Sequence, residues 1–222
     1  MSIKGKFITI EGMDGAGKST QIQFMKRYLE DKGYKVLITR EPGGTIIGEK
    51  TRAVILDNKH KEMDSRTEAL LYAASRAQHV SQIIIPALQR GEVVLCDRYV
   101  DSSMVYQGKG RDLGYKPIKM INDFATQGLE PDLTVLLDID PTLSLQRIIA
   151  RGEGDRLEGE KIQFHVAVHN AYMDLAKMYP NRIKVVNANG KIEDIRIEVE
   201  KLLKNIFKGE SIYEATNSYC SR

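Results

Sequence analysis

The chain reads as an α/β protein built on a doubly wound, five-stranded parallel sheet with helices on both faces. Three observations predict this fold. Five short runs rich in Val, Ile and Leu are nearly continuous rather than alternating, as strands covered on both faces should be. Stretches with helical spacing separate those runs, the signature of parallel crossovers. The first run passes directly into a glycine-rich loop that closes on Lys-Ser.

The first strand is expected from Phe7 to Glu11. Gly12-Met13-Asp14-Gly15-Ala16-Gly17-Lys18-Ser19 follows, with Thr20 after it, and fits G-x-x-x-x-G-K-[ST]. Glycines let such a loop curl its N–H groups toward an anion, with a helix N-terminus behind them. Lys18 is placed to reach the β- and γ-phosphates of a nucleoside triphosphate, and the Ser19 hydroxyl to ligate Mg²⁺. The helix carries apolar residues from Gln21 to Leu29, and Gly33 can end it.

The second strand, Lys35 to Thr39, ends in Arg40-Glu41-Pro42-Gly43-Gly44-Thr45. Ligands bind at the carboxyl ends of strands in open sheets, although an ordinary strand-to-helix turn looks the same. A long helix from about Ser65 to Arg90 puts Tyr72 and Arg76 on one face. They suit a base, one stacking and one bonding its edge, or a plain cation–π pair. The helix is apolar over a wide arc (Leu70, Ala73, Ala74, Ala77, Val80, Ile84), more than one sheet face needs, which points to self-association.

The third strand, Val93 to Asp97, places Asp97 to hold Mg²⁺ or its waters and Arg98 to grip a phosphate. A surface ion pair is the alternative. Asp101 to Gly108 is polar enough for a substrate pocket or a solvated loop. The fourth strand is Leu133 to Asp138. Asp140 then caps a helix opened by Pro141, with Gly152 just beyond it. Arg147 and Arg151 share its face and lead into Arg151-Gly152-Glu153-Gly154-Asp155-Arg156. That run is a candidate lid carrying positive charge to a transferring phosphoryl group, or simply a charged helix end. The fifth strand is Ile183 to Asn187. One domain over residues 1–207, with a lid near 147–160, and a polar tail at 208–222 complete the expected organisation.

Basic and acidic residues number 33 and 30, too balanced at +3 for a nucleic-acid partner. No signal peptide and no run near about 18 apolar residues is present, so no membrane and a cytoplasmic location are expected. Cys96 and Cys220 form no disulfide framework, and Cys96 reads as a buried strand thiol. His60, His79, His165 and His169 show no compact pairing with Cys or carboxylates in the sequence.

From about Gly5 to Phe207 the motif set resembles the thymidylate kinase family. The likeness rests on the phosphate loop, Glu41-Pro42-Gly43-Gly44-Thr45, Ser75-Arg76-Ala77-Gln78-His79, Asp97-Arg98-Tyr99, Ser102-Ser103 with Tyr106-Gln107-Gly108, Pro131-Asp132-Leu133-Thr134 with Leu137-Asp138, and the lid run. The resemblance implies a P-loop NTPase-type sheet in the order 2-3-1-4-5, a homodimer, and transfer of the γ-phosphoryl group of ATP to dTMP for dTTP synthesis. It implies ATP on Gly12 to Thr20, with Asp14 also near the sugar 3′-hydroxyl and the substrate phosphate. Arg52 and Arg98 would hold the 5′-phosphate. Arg76 would bond the thymine edge with Ser103 and Gln107 nearby, Tyr106 would pack under the deoxyribose, and Glu41 and Pro42 would join the acceptor pocket. Tyr72 stands where the family usually carries Phe, which keeps the π-face and adds a hydroxyl. The phosphate loop has no arginine, so this chain resembles the bacterial type, whose lid arginines, here Arg151 and Arg156, supply the charge. Another nucleoside monophosphate kinase is the nearest rival. A GTP-dependent switch needs N-K-x-D, and Asn58-Lys59-His60-Lys61 has Lys where Asp must stand.

Overall fold

The computed structural model of the chain describes residues 5–152 and 154–208. Glu153 of the expected lid, the tail past Lys208 and Cys220 lie outside them. Strands β1 (Phe7–Gly12), β2 (Val36–Arg40), β3 (Val93–Asp97), β4 (Leu133–Asp138) and β5 (Ile183–Asn187) form one parallel sheet in the order β2-β3-β1-β4-β5. β2 runs one residue later than its apolar run indicates, because Arg40 still pairs with Asp97 across the ladder.

Helices α1 (Lys18–Glu30), α2 (Ile46–Leu56), α3 (Ser65–His79), α4 (Ile85–Gln89), α5 (Val100–Ser103), α6 (Tyr115–Thr126), α7 (Pro141–Arg151), α8 (Ile162–Met178) and α9 (Ile192–Ile206) surround the sheet. Side chains of β1 and β3 alternate between two buried clusters. One gathers Ile8, Ile10, Met25, Leu95, Val135, Leu175 and Val199. The other gathers Phe7, Val80, Ile84, Leu88, Val94, Cys96 and Tyr99. Each such aliphatic side chain stabilises the fold by about 1.5–3 kcal/mol. β1 is buried along its whole length, so the loop that follows it starts from a rigid strand.

Local chemistry sets the ends of α7. The Asp140 carboxylate accepts from the Thr142 and Leu143 N–H groups, Pro141 opens the helix, and Gly152 closes it at φ 113°. The expected single helix from Ser65 to Arg90 is instead α3 and α4 joined by a π-helical turn, Val80–Ile84. Pro86 has no N–H to give to Gln82, and the wider turn relieves the ladder there. Val80 and Ile84 thereby join the core. Half of the wide apolar arc is packed inside: Ala73, Val80 and Ile84 are buried, whereas Ala74 is exposed and Leu70 remains 57 % exposed.

The segment after β3 is no solvated loop. α5 and a second π-helical turn, Met104–Gly110, bury Ser102, Ser103, Tyr106 and Gln107. No helix among the described residues is long and apolar enough to cross a membrane.

Candidate active site

A cavity of about 710 Å³ opens at the carboxyl ends of β1, β2 and β3. The phosphate loop forms its floor. Gly12 has φ 132°, and a Cβ there would stand 2.5 Å from the Leu137 carbonyl oxygen. Gly17, at φ 91°, turns the chain into α1. Asp14, Gly15, Gly17, Lys18, Ser19 and Thr20 line the cavity, while Met13 and Ala16 pack into the core. α7 braces the loop from outside: Ser144 Oγ donates to the Asp14 carbonyl at 2.6 Å and Arg147 Nη1 to the Gly15 carbonyl at 2.8 Å.

Lys18 Nζ donates to the carbonyls of Gly12 at 3.1 Å and Met13 at 2.9 Å. Burial and then the Arg98 charge pull its pKa down, against Asp14 and Asp97. A phosphate brought here would favour the ammonium form and gain a desolvated charge partner. Ser19 and Asp97 both line the cavity. Asp97 Oδ1 is buried and takes no hydrogen bond. A buried carboxylate oxygen left without a donor, on a lining that also carries the Ser19 hydroxyl, suits a hard, oxygen-seeking cation such as Mg²⁺.

Arg98 has φ 66°, a left-handed conformation rare for a residue with a Cβ. Its N–H bonds the Ile10 carbonyl at 3.0 Å, and the next N–H, of Tyr99, bonds Glu11 Oε1 at 2.7 Å. The guanidinium donates to Asp14 Oδ1 at 2.8 Å and Ser102 Oγ at 3.0 Å, and lies 5.1 Å from the Tyr106 ring centre. Burial alone would raise the Asp14 carboxyl, but Arg98 and Lys18 hold it below the usual carboxylate range. Glu11 anchors this region from beneath. Its Oε2 accepts from Ser102 Oγ at 2.6 Å and Tyr172 OH at 2.9 Å. Burial, with the nearby Asp101 charge, pushes its carboxyl up to about 7.

Glu41, Pro42, Arg52, Tyr72, Tyr106 and Gln107 also line the cavity. Arg52 Nη1 donates to the Pro42 carbonyl at 3.0 Å. Arg76 and Ser103 are not on the lining. Arg76 is 1 % exposed and donates to Glu41 Oε2 at 2.6 Å, Ser103 Oγ at 2.9 Å, the Tyr99 carbonyl at 2.9 Å and Asn122 Oδ1. The Tyr72–Arg76 pair is therefore split, with the ring on the cavity and the guanidinium consumed behind its wall.

The two lid arginines are split as well. Arg151 lines the cavity, 60 % exposed in its side chain and paired with Glu158. Arg156 turns away from the cavity. It donates to the Ile55 carbonyl at 3.0 Å and Glu68 Oε2 at 2.5 Å, because the buried Glu68 carboxylate demands cations.

Two histidines do have compact partners. His169 Nε2 meets Asp138 Oδ1 at 2.7 Å. His79 meets Glu41 Oε1 at 2.8 Å and Thr39 Oγ1 at 2.6 Å, and Glu41, His79 and Cys96 bring their potential ligand atoms within 4.8 Å of one another. Sequence spacing could not reveal the second cluster, since its members come from different elements. Glu11, Glu68, Arg111, Glu158 and Tyr172 also escaped the sequence reading as site residues, and Asp155 stood there only within the lid run. Only Glu11, an acid closing an apolar strand, carried a visible signal.

A family model described as thymidylate kinase matches residues 10–199. A curated thymidylate kinase of Lactobacillus delbrueckii subsp. bulgaricus is 50 % identical over 208 residues, covering 92 % of this chain and 98 % of that one. One from Lactobacillus helveticus is 50 % identical over 215 residues, covering 92 % and 100 %. Among solved structures, a thymidylate kinase from Ehrlichia chaffeensis aligns with TM-score 0.75 at 32 % identity, over 90 % of this chain and 98 % of that one.

Proposed function

The chain belongs to the thymidylate kinase family, and from that premise we propose how its cavity moves the γ-phosphoryl group of ATP onto dTMP, giving dTDP and ADP. One observation carries the reading: the donor-side and acceptor-side cations converge on a single carboxylate. Asp14 Oδ1 lies 3.6 Å from Lys18 Nζ and 2.8 Å from Arg98 Nη2. Residues Gly12 to Thr20 hold the ATP phosphates at one end. At the other, Arg98 and Arg52 hold the dTMP 5′-phosphate, Tyr72 stacks on the base, Gln107 meets its edge, and Tyr106 packs under the sugar. Asp14 lies near the 3′-hydroxyl, Glu41 and Pro42 shape the wall, and Arg76 and Ser103 brace it from behind.

The nucleophile is a phosphate oxygen of dTMP, ionised at neutral pH, so no strong general base is needed. It forms the new P–O bond as the bond from the γ-phosphorus to the bridging oxygen breaks, and ADP leaves. Catalysis is in-line positioning and neutralisation of charge by Lys18, Arg98 and the lid's Arg151. Mg²⁺ held by Ser19 and Asp97, partly through water and phosphate oxygens, would supply further neutralisation of the triphosphate.

Self-association also belongs to this reading. Ile46 and Ile47 on α2, Leu70 on α3, and Met120 and Phe124 on α6 are exposed, and α3 packs against both α2 and α6. A second copy of the chain covering these helices gives a homodimer, working in the cytoplasm on soluble nucleotides. Turnover with ATP across dTMP, dUMP, AMP and GMP tests the function. dTMP is expected to have the highest kcat/KM; a purine monophosphate as better acceptor would make the chain a different monophosphate kinase.

A further inference from the structure

Glu68 sits on α3 one turn before Tyr72, with its carboxylate 1 % exposed. A buried carboxylate is tolerated only where donors meet both oxygens. Oε1 accepts from Gln107 Nε2 at 2.9 Å and Arg111 Nε at 3.4 Å. Oε2 accepts from Arg156 Nη2 at 2.5 Å and Arg111 Nη2 at 3.3 Å. Burial raises this carboxyl, but the Gln107 hydrogen bond and the arginines outweigh it and hold it below its ordinary value.

An ionised carboxylate has no hydrogen to donate. The Gln107 amide therefore has one stable orientation against it, NH₂ toward Glu68 and carbonyl oxygen away. Gln107 lines the cavity, and its Oε1 takes no hydrogen bond among the described residues. What the cavity receives from Gln107 is an acceptor.

We propose that Glu68 is a positioning residue for acceptor choice: through Gln107 it holds a carbonyl oxygen toward the base, so the site takes a pyrimidine bearing N3–H and rejects one whose N3 is itself an acceptor. The inference rests on the dTMP reading of the cavity. Thymine and uracil carry that hydrogen; cytosine turns a lone pair toward Gln107 and leaves two acceptors facing each other. Glu68 touches no substrate atom in this scheme. Through Arg156 the same carboxylate also ties the lid to the wall that reads the base.

The test compares kcat/KM for dTMP, dUMP and dCMP. Turnover of dTMP by the wild type is the separate control on the function itself; with it in hand, the ratios judge Glu68 alone. The wild type should use dUMP well ahead of dCMP, and equal use of the two would overturn the proposal without any variant. Glu68→Gln can face Gln107 with either end of its amide, so Gln107 is free to turn. The dTMP-to-dCMP ratio should fall by about tenfold or more, part of the margin that a hydrogen-bonding site holds over a mismatched ligand. The double variant Glu68→Gln/Gln107→Glu restores an obligate acceptor at position 107 and should recover most of that ratio. A purely structural Glu68 would lower both activities in proportion, leave the ratio unmoved in Glu68→Gln, and refute the assignment.

Discussion

The Arg98 guanidinium donates to the Asp14 carboxylate at 2.8 Å, joining on the cavity lining two residues 84 positions apart. Lys18 stands 3.6 Å from the same oxygen. Two cations that would repel one another are thus held close before any phosphate arrives. Arg98 reaches this place because β3 ends beside β1, and because bonds to Ile10 and Glu11 hold its left-handed backbone. The strained turn and the site's central charge are one feature.

Lys18→Ala should lower kcat/KM for dTMP and ATP by on the order of 10²–10⁴, the scale for losing a charge that acts on the transition state. Steady-state kinetics on a variant with an unchanged unfolding midpoint checks this. Near-normal turnover would remove Lys18 from the transfer step.

Asp97→Asn and Ser19→Ala should each raise the Mg²⁺ concentration giving half-maximal activity by about 10–100-fold, the range for losing a metal-supporting group. Titration of activity against Mg²⁺ at fixed ATP is the measurement. An unshifted curve in both variants would place the metal elsewhere.

Glu11 makes stability depend on pH. Its ordinary value is 4.5, and in the fold it lies at about 7 because burial and Asp101 disfavour its charge. Between those values the folded chain keeps a proton that the unfolded chain has lost. Stability owed to this group therefore falls as pH rises through the window and levels off above it. Denaturant unfolding of wild type and Glu11→Gln from pH 4.5 to 8 should show any advantage of the wild type narrowing as pH rises. A gap that widens would reverse the assignment.

The five strands and the phosphate loop are legible in the sequence because their signals are local: apolar runs, glycine spacing and capping residues such as Asp140. Arg98 is legible for the same reason, standing one residue past a strand tip. What stays hidden depends on distant chain segments meeting. Glu68 and Arg156 are 88 residues apart, so no period could send Arg156 to α3 rather than to the cavity. The spacing of Tyr72 and Arg76 gives a helix face, but not the Glu41, Ser103 and Asn122 side chains that close over the guanidinium. At the π-helical turn, Pro86 is the one local mark, and it does not reveal that Val80 and Ile84 turn inward.

Phe124 is 89 % exposed on α6 in the isolated chain. If a second copy covers it, Phe124→Glu buries an unpaired charge at the interface and should shift the protein from dimer toward monomer. Light scattering across a concentration series reads the mass directly. A wild type that is monomeric throughout would discard the dimer, and an unchanged dimer in the variant would move the interface off α6.

The central claim is that Arg98 grips the acceptor's phosphate, and binding of dTMP against thymidine tests it most directly. Calorimetry on the wild type should show dTMP bound about 100-fold or more tightly than thymidine, since hydrogen bonds to charged groups contribute roughly 1.5–3 kcal/mol each. In Arg98→Ala most of that preference should disappear while thymidine binds as before. The same preference for dTMP in both proteins would contradict the account.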